Sequence, residues 1–308
     1  MDHNAQYDTV IIGGGPAGLT AALTLTRYRR RTLVIESPAP ARNAASRGVH
    51  GLIGLEGATP AELRSRAWEE LGRYGLAEPL DATASEVTPM PGDGFEVHTQ
   101  DGTTVWARNV ALTTGVIDLH PDGVEGFAAC WGQTVIHCPF CIGEENADRT
   151  WALVSDEPRY LGMAATAFKA WTGDTIAIAP PSLPDAQELR RDLRAKGSDL
   201  VQGEIVRLHH TDGDLHAVEL ADGTLLKRQT LLWPQQQRQV PLVERLAEHH
   251  GLRLAEDGYV IVDAGRQTSV PGLYAAGDLT GRTWEQGAVP AVAAGAAAAD
   301  AIHFATLH

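Results

Sequence analysis

Near its start the chain carries a pattern that few folds accommodate: an apolar run at 9–12 leads directly into a glycine-rich turn. The glycines fill the three spaced positions of G-x-G-x-x-G, which allow a tight turn, close approach of the backbone to a pyrophosphate and close packing of the next helix. That helix offers its N-terminal N–H groups and the positive end of its dipole. The turn consists of Gly13, Gly14, Gly15, Pro16, Ala17 and Gly18.

A second apolar run, at 32–35, follows the helix and ends at Glu36. An acidic residue about 20 positions after the glycines is placed to bind the ribose of a dinucleotide. A glycine turn alone is a weak signal. Strand, turn, helix, second strand and acid in this order predict a dinucleotide-binding unit.

The rest of the chain continues the α/β pattern. Thr59, Pro60 and Glu62 predict a capped helix, and 84–113 predicts a β-meander. A second strand–helix–strand–helix series, a hairpin and a final strand and helix follow. Their predicted ranges are 151–154, 160–170, 175–179, 185–196, 215–220, 272–275 and 288–303.

This order of elements predicts the α/β class, with two Rossmann-like domains of three layers (ββα). At 308 residues the chain is long enough for two hydrophobic cores. We place a discontinuous nucleotide-binding domain at 1–116 and 241–308, because the last strand and helix return to it. A central domain at 117–240 is inserted between the two parts.

The central domain lacks the glycines of a second nucleotide site. Ser155, Glu157 and Tyr160 occupy the positions where three glycines would be needed, and Asp156 adds a further negative charge. Side chains there block the backbone from a pyrophosphate, and the carboxylates repel it. We therefore expect that this degenerate fingerprint does not bind NADPH.

Two thiols separated by two residues, Cys138 and Cys141, are the predicted chemical centre. If Cys138 opens a helix, Pro139 fits the first turn, and the unpaired N–H groups there stabilise a thiolate. Such a pair closes to a disulfide and reopens by exchange, so it stores two electrons. A zinc site and a packing pair are the alternatives. Zinc needs four ligands, and no second cysteine pair or His-x₃-His follows at the spacing of a structural site. The only other cysteine is Cys130, predicted to be a packed thiol, and the adjacent His137 keeps the zinc interpretation open.

Charge and composition limit the partners. A net charge of −14 argues against nucleic acid and anionic membranes. No signal peptide is visible in residues 1–6, and three cysteines cannot form a secreted disulfide framework, so we expect a cytoplasmic protein. The apolar run at 288–299 is too short to span a bilayer and contains Pro290 and Gly295.

Taken in order, these motifs resemble the low-molecular-weight thioredoxin reductase family of FAD-dependent disulfide oxidoreductases over nearly the whole chain. The resemblance implies FAD in the first domain, a CxxC over the isoalloxazine and a homodimer. It also implies that Asp278 contacts the ribityl-phosphate part of FAD and that Gln286 lies beside the flavin ring. The residues that carry it are the glycine turn, Glu36, Thr114, Gly115, Cys138, Pro139, Phe140, Cys141, Ala275, Ala276, Gly277, Asp278 and Gln286.

Within the family, segments 49–53 and 138–144 are similar to those of dithiol oxidases, which close disulfides in small natural products. One departure is Ile142, where reductases carry Asp and these oxidases often carry His. Isoleucine cannot transfer a proton, so acid–base work must fall to another group. We assign catalysis to Cys138, Cys141, His137 and Glu144, keep Glu145 and His50 as acid–base candidates, and also place His50 among the cofactor-binding residues.

The resemblance implies a relay in which a dithiol exchanges with the Cys138–Cys141 disulfide and Cys141 reduces the flavin, which oxygen reoxidises. The substrate would be a small-molecule dithiol or a thioredoxin-like protein. One alternative is a thioredoxin reductase-like enzyme fed by ferredoxin or another donor that is not NADPH. Another is a non-catalytic FAD-binding protein, against which the intact CxxC argues.

Overall fold

The structure, a computed structural model, describes residues 6–90, 92, 94–282 and 285–307. Residues 1–5, where the absence of a signal peptide is predicted, lie outside this part. The strands are β1 (Tyr7–Ile12), β2 (Thr32–Glu36), β3 (Ala77–Asp81), β4 (Ala84–Met90), β5 (Gly94–Thr99), β6 (Thr104–Leu112), β7 (Ile117–Leu119), β8 (Val135–Ile136), β9 (Trp151–Val154), β10 (Thr175–Ala179), β11 (Asp199–Gln202), β12 (Ile205–Thr211), β13 (Asp214–Leu220), β14 (Leu225–Leu226), β15 (Thr230–Leu232), β16 (Gln236–Arg238) and β17 (Leu273–Ala275). The helices are α1 (Pro16–Arg27), α2 (Pro60–Gly72), α3 (Phe127–Cys130), α4 (Pro139–Ile142), α5 (Pro158–Ala167), α6 (Ala186–Ala195), α7 (Pro241–His249) and α8 (Ala288–Ala305).

The chain divides into two compact units. The first comprises residues 1–44, 48–118 and 237–308, and the second comprises 45–47 and 119–236. The sequence placed the domain boundaries after 116 and 240, whereas the structure places the principal divisions after 118 and 236. The first unit is thus formed by segments that precede and follow the second unit in the sequence.

A seven-stranded sheet forms the centre of the first unit, in the order β3-β2-β1-β6-β5-β4 with β17 also paired to β6. Strands β3, β2, β1, β6 and β17 are parallel, and β5 and β4 continue from β6 as an antiparallel meander. Alternate residues of β1 enter different cores. Val10 packs towards the meander and α7, whereas Ile11 packs against α1 and α8.

Helix α8 packs on α1 with almost no space between the backbones. A Cβ atom built on Gly295 would lie 2.1 Å from the carbonyl oxygen of Ala17. Among the helices of the described residues, α8 is the one long and apolar enough to cross a membrane. Six of its 18 residues, among them Ala294, Ala298 and Ile302, are buried in the core of the first unit, whereas Val289 and Phe304 on the same helix are exposed.

The second unit repeats the three layers on a smaller scale. Its parallel sheet has the order β11-β10-β9-β15-β8. Helices α5 and α6 pack on one face together with Trp151 and Leu153. The antiparallel strands β12–β14 pack on the other face, against Ala152 and Val154. The structure thus has the predicted α/β architecture in both units.

Most predicted elements appear within two residues of their expected ends, and α5 is the exception. The sequence predicts a helix at 160–170, whereas α5 runs from Pro158 to Ala167. Proline at the first helical position needs no hydrogen-bonded N–H, and that preference sets the earlier start. The capping box is complete: Thr59 Oγ1 accepts from Glu62 N at 3.2 Å, and Thr59 N donates to the Glu62 carboxylate at 2.8 Å.

Candidate active site

Four parallel strands of the first unit end beside one another. The glycine turn follows β1, Glu36 ends β2, residues 113–115 follow β6, and Gly277 and Asp278 follow β17. Carboxyl ends of parallel strands lie at one edge of the sheet, where nucleotides bind in open α/β folds. The fold therefore brings together the predicted cofactor residues of all four segments.

The glycine turn is held against the end of β6. Gly13 has a φ of 112°, and a Cβ atom there would lie 2.4 Å from the Thr113 carbonyl oxygen. A Cβ atom on Gly18 would lie 2.0 Å from the Gly13 carbonyl oxygen. Thr113 Oγ1 donates to that same oxygen at 2.7 Å. Two of the three fingerprint glycines are therefore required by protein packing.

The third glycine, Gly15, differs from the other two. It is the N-cap of α1 with an ordinary φ of −79°, and no protein atom lies within 4 Å of the position its Cβ would take. Pro16 follows at the first helical position, and Ala17 lies beside Gly277, whose Cβ would be 3.1 Å from that of Ala17. Open space in front of a helix N-terminus fits the pyrophosphate of a dinucleotide.

Glu36 lies at the glycine turn. Its Oε2 accepts a hydrogen bond from the backbone N–H of Gly14, and its Oε1 lies 3.5 Å from Arg64 Nη1. One carboxylate oxygen thus fixes the turn, and the partly exposed carboxylate keeps lone pairs for ribose hydroxyls. Thr114 and Gly115 continue from Thr113 along the same edge, and Gly115 has a φ of 64°.

Asp278 is part of a buried ionic network that the sequence did not predict. Arg42 makes a two-pronged contact with Asp118, with donor–acceptor distances of 2.6 and 2.9 Å. Arg42 Nη1 also donates to Asp278 Oδ2 and to Gln286 Oε1, each at 2.9 Å. Burial lowers the pKa of Arg42, but the bonds and charges of Asp118 and then Asp278 outweigh it and raise the pKa, so the guanidinium stays charged.

Gln286 lies at the centre of this network and is buried. Its Nε2 donates to Gln237 Oε1 at 2.7 Å and to the Gly281 carbonyl oxygen at 2.9 Å. Gln237 Nε2 in turn donates to Asp118 at 2.9 Å, and Tyr259 donates to Gln237 Oε1 at 2.8 Å. Gln286 therefore links Arg42, Gln237 and the backbone at Gly281.

The pattern of the sequence does not identify the members of this network, because their partners lie far away in the sequence. These members are Arg42, Asp118, Gln237 and Tyr259. Arg42 and Asp278, for example, are separated by 236 positions. One local signal existed: arginine in a short irregular segment of an acidic chain calls for a carboxylate partner. That signal does not identify the partner.

In the second unit the thiols lie at the start of a short helix, as predicted. Cys138 is the N-cap of α4 with extended backbone, Pro139 takes the first position, and Cys141 N donates to the Cys138 carbonyl oxygen at 3.3 Å. Cys138 is buried, and Cys141 is half-buried. Cys130 lies in the opposite core layer, fully buried, and burial raises the pKa of its thiol.

Aromatic rings flank the thiol segment on both sides. Phe140, between the two cysteines, is 69% exposed and meets Phe168 and Trp171 edge-on, with ring centroids 6.2 and 5.7 Å apart. His137, before Cys138, packs against Trp131 with centroids 5.6 Å apart. An exposed ring between the two thiols is suited to contact an apolar molecule.

The remaining acid–base candidates are scattered. Glu144 and Glu145 form an exposed turn directly after α4. His50 lies in the first unit, with Nδ1 2.7 Å from Glu56 Oε1, and this bond, followed by that of Gly51 N, lowers the pKa of Glu56. Within the described residues, no group of three or more His, Cys, Asp or Glu side chains is arranged to hold a metal ion.

The turn after β9 has the same length and leads into the same kind of helix start as the glycine turn after β1. Two residues separate the strand from the helix N-cap, which is Glu157 in the second unit and Gly15 in the first, and proline follows both. Tyr160 consequently takes the position of Gly18. Asp156 and Glu157 are exposed, and Ser155 Oγ accepts from Glu157 N at 3.0 Å.

Comparison with known proteins gives matches over both units. A sequence model described as pyridine nucleotide-disulphide oxidoreductase matches residues 183–298, and one described as FAD binding domain matches residues 8–86. Thioredoxin reductase tcpT of Claviceps purpurea is 31% identical over 301 residues, covering 90% of this chain and 88% of that protein. Thioredoxin reductase aclD of Aspergillus oryzae is 30% identical and covers 88% of both chains.

Solved structures agree with this. The crystal structure of HlmI has a TM-score of 0.88 at 30% identity and covers 100% of this chain and 94% of that one. The putative thioredoxin reductase TrxB from Bacillus anthracis has a TM-score of 0.88 at 25% identity and covers 98% of both chains. With a glycine turn that fits FAD in one unit and a thiol pair in the other, the chain belongs to the thioredoxin reductase-like family of FAD-dependent disulfide oxidoreductases, enzymes that act on sulfur groups.

Proposed function

We propose that this enzyme oxidises a dithiol to a disulfide with oxygen as the acceptor and without NADPH. The turn after β9 carries the proposal. It has the length and the helix start of a nucleotide-binding turn, but it lacks the three glycines. The residues at their positions are Ser155, Glu157 and Tyr160, where the glycine turn has Gly13, Gly15 and Gly18.

A nicotinamide dinucleotide should bind at this turn much more weakly than at a glycine turn. A pyrophosphate at a helix N-terminus gains charge-assisted bonds from backbone N–H groups, each worth roughly 1.5–3 kcal/mol. Here the Glu157 N–H already donates to Ser155, and two exposed carboxylates belong to the turn that a phosphate would have to approach. Losing two such bonds weakens binding by two or more tenfold steps, at about 1.4 kcal/mol each. Repulsion adds to this.

The thiol pair supplies the exchange chemistry. A substrate thiolate attacks one sulfur of the Cys138–Cys141 disulfide and releases the other as a thiolate. The second substrate thiolate then attacks the substrate sulfur of the mixed disulfide and releases the remaining enzyme sulfur, which leaves an enzyme dithiol and a substrate disulfide. The helix start at Cys138 favours a thiolate there. Bound FAD supplies the two-electron acceptor that restores the enzyme disulfide. Overall, one dithiol and one O₂ yield one disulfide and one H₂O₂.

The surroundings of the thiols support a small apolar substrate. Phe140 is exposed, and the neighbouring rings of Phe168 and Trp171 hold it at the thiol segment. By the family resemblance we assign Cys138 to exchange with substrate and Cys141 to reduction of the flavin. For proton transfer we propose His137 and Glu144, because Ile142 cannot serve.

The names of the relatives favour a second candidate. Several are thioredoxin reductases, which suggests a thioredoxin-like protein as the disulfide partner. With the same degenerate turn, electrons would then come from ferredoxin or another protein donor. The two candidates differ in the direction of electron flow between the thiols and the flavin.

One anaerobic experiment separates them. The purified yellow protein is mixed with a small dithiol, with NADPH or with NADH, and flavin absorbance near 450 nm is followed. The oxidase predicts bleaching by the dithiol alone, recovery of colour on admitting air, and H₂O₂ equal to the disulfide formed. Rapid bleaching by micromolar NADPH would refute the proposal and return the protein to the nicotinamide-dependent reductases. Cys138→Ser is the control, because it retains FAD but cannot exchange.

A further inference from the structure

Arg42 is the cation of the ionic network at Asp278. Its side chain is only 16% exposed, and its guanidinium is shared by the carboxylates of Asp118 and Asp278. Nε and Nη2 donate to the two oxygens of Asp118 at 2.6 and 2.9 Å, and this two-pronged contact fixes the plane of the guanidinium. Nη1 is thereby directed at Asp278 Oδ2, which accepts from it at 2.9 Å. Asp118 therefore orients Arg42, and Arg42 holds Asp278.

Asp278 lies next to the start of α1. It follows Gly277, and a Cβ atom built on Gly277 would lie 3.1 Å from the Cβ of Ala17, in the first turn of that helix. Consecutive Cα atoms are about 3.8 Å apart, so the Cα of Asp278 is within roughly 10 Å of Ala17. The pyrophosphate of FAD fits at this helix start. A carboxylate so close repels the pyrophosphate unless a cation offsets its charge. The backbone N–H of Gly287, which donates to Asp278 Oδ1 at 3.2 Å, carries no net charge, whereas Arg42 does.

We propose that Arg42 is a positioning residue for FAD, which offsets the negative charge of Asp278 and so lets the anionic pyrophosphate bind beside that carboxylate. Two carboxylates and one guanidinium sum to a charge of −1, and without Arg42 the sum is −2. Glu36 adds a further carboxylate at the glycine turn, with Arg64 3.5 Å away. The proposal depends on FAD as the cofactor, and it holds for either direction of electron flow between the thiols and the flavin.

Removing either partner of the Arg42–Asp278 pair tests the charge argument, because the two substitutions change the charge of the site in opposite directions. The apoprotein of each variant is titrated with FAD and with riboflavin, which lacks the pyrophosphate and the adenosine, and binding is followed by flavin fluorescence. Comparing each variant's ratio of FAD to riboflavin affinity with the wild-type ratio removes the contribution of the adenosine. Arg42→Met should lower this ratio about tenfold, and Asp278→Asn should raise it by about the same factor. Both changes should shrink between about 0.05 M and about 1 M NaCl, because salt screens the charges.

Asp118→Asn is the matched control for disruption of the network itself. It removes the two-pronged contact with Arg42 but leaves no carboxylate without a cation, so the ratio should not fall. If the network is merely structural, all three variants should lose affinity for both ligands equally, and that result would overturn the proposal. Asp278→Asn retains the Arg42–Asp118 pair, so it decides the question even if Arg42→Met does not fold: a ratio that does not rise there rejects the charge role. Because binding is measured without turnover, none of these results depends on dithiol oxidation.

Discussion

The contrast between Gly15 and Gly18 gives the most direct test of the cofactor site. Gly15→Ala places a methyl group where no protein atom lies within 4 Å, whereas Gly18→Ala places one 2.0 Å from the Gly13 carbonyl oxygen and 2.6 Å from Thr113 Oγ1. The same substitution should therefore damage different properties at two positions three residues apart.

For Gly15→Ala we expect normal folding with weakened FAD binding. The methyl group occupies the space into which a pyrophosphate would approach, and losing one charge-assisted backbone bond costs roughly 1.5–3 kcal/mol. FAD should bind about tenfold to about a hundredfold more weakly. The apoprotein should lose about 0.5–1 kcal/mol, because glycine is preferred to alanine at a helix N-cap.

For Gly18→Ala we expect a destabilised apoprotein. Alanine favours the helix by about 1 kcal/mol, but the contact with the Gly13 carbonyl oxygen forces backbone movement. Overpacking of this kind costs about 1–3 kcal/mol, and because the neighbouring atom belongs to rigid backbone we expect the upper end of that range, a net loss of about 2 kcal/mol after the gain in helix propensity. Stability loss should therefore exceed that of Gly15→Ala.

The assay removes FAD, follows thermal unfolding of each apoprotein by circular dichroism, and titrates FAD by quenching of its fluorescence. Gly72→Ala, at the end of α2, also has no protein atom within 4 Å and serves as the control for both readings. Wild-type FAD affinity in Gly15→Ala would refute the assignment of the turn to the pyrophosphate. Equal stability losses in Gly15→Ala and Gly18→Ala would refute the packing argument.

Three further predictions follow from the same structure. Cys138→Ser and Cys141→Ser should each abolish bleaching by a dithiol with FAD retained, whereas Cys130→Ala should stay active; activity in either serine variant would remove the pair from the mechanism. Arg42→Met leaves Asp118 and Asp278 without their shared cation and should lower the free energy of unfolding, measured by chemical denaturation, by about 3–5 kcal/mol. The control Arg194→Met, at an exposed ion pair, should lower it by less than about 1 kcal/mol, and equally small losses in both variants would contradict the prediction. The backbone N–H of Thr59, followed by its hydroxyl, lowers the pKa of Glu62, so this carboxylate stabilises the fold above its unfolded-state pKa and loses that effect as pH falls through the folded-state pKa. Glu62→Gln should therefore lower Tm at neutral pH but not in acid. A difference in Tm between the two proteins that does not change with pH would exclude the capping box as its cause.

Local sequence rules predicted the strands, turns and helix starts that build the site. The glycine turn, Glu36, the helix start at Cys138 and the capped helix at Thr59 each depend on contacts within a few residues or on one strand–helix unit. Such contacts leave a pattern that spacing can detect. Cysteine pairing in catalysis, a homodimer and a cytoplasmic location stay predictions.

Long-range polar contacts were beyond that kind of reasoning. Arg42, Asp118, Gln237 and Gln286 meet only after the chain has passed through the whole second unit. Buried polar groups require partners, but a sequence does not reveal which of many carboxylates and amides will be nearest. The likeness of the two turns was visible in the sequence, whereas the placement of Tyr160 and Cys141 against the same core of the second unit required the order of β8, β15 and β9.

The division of the first unit has a consequence for synthesis on the ribosome. Residues 119–236 form one continuous stretch, so the second unit can complete its core while later residues are still being added. The first unit cannot, because β17 must still pair with β6, and α8 must still cover α1. During that interval the nascent chain exposes an unpaired strand edge and an apolar helix face, both prone to aggregation. We therefore expect the cofactor to bind late, and chaperone demand to be greatest for chains stalled between residues 237 and 287.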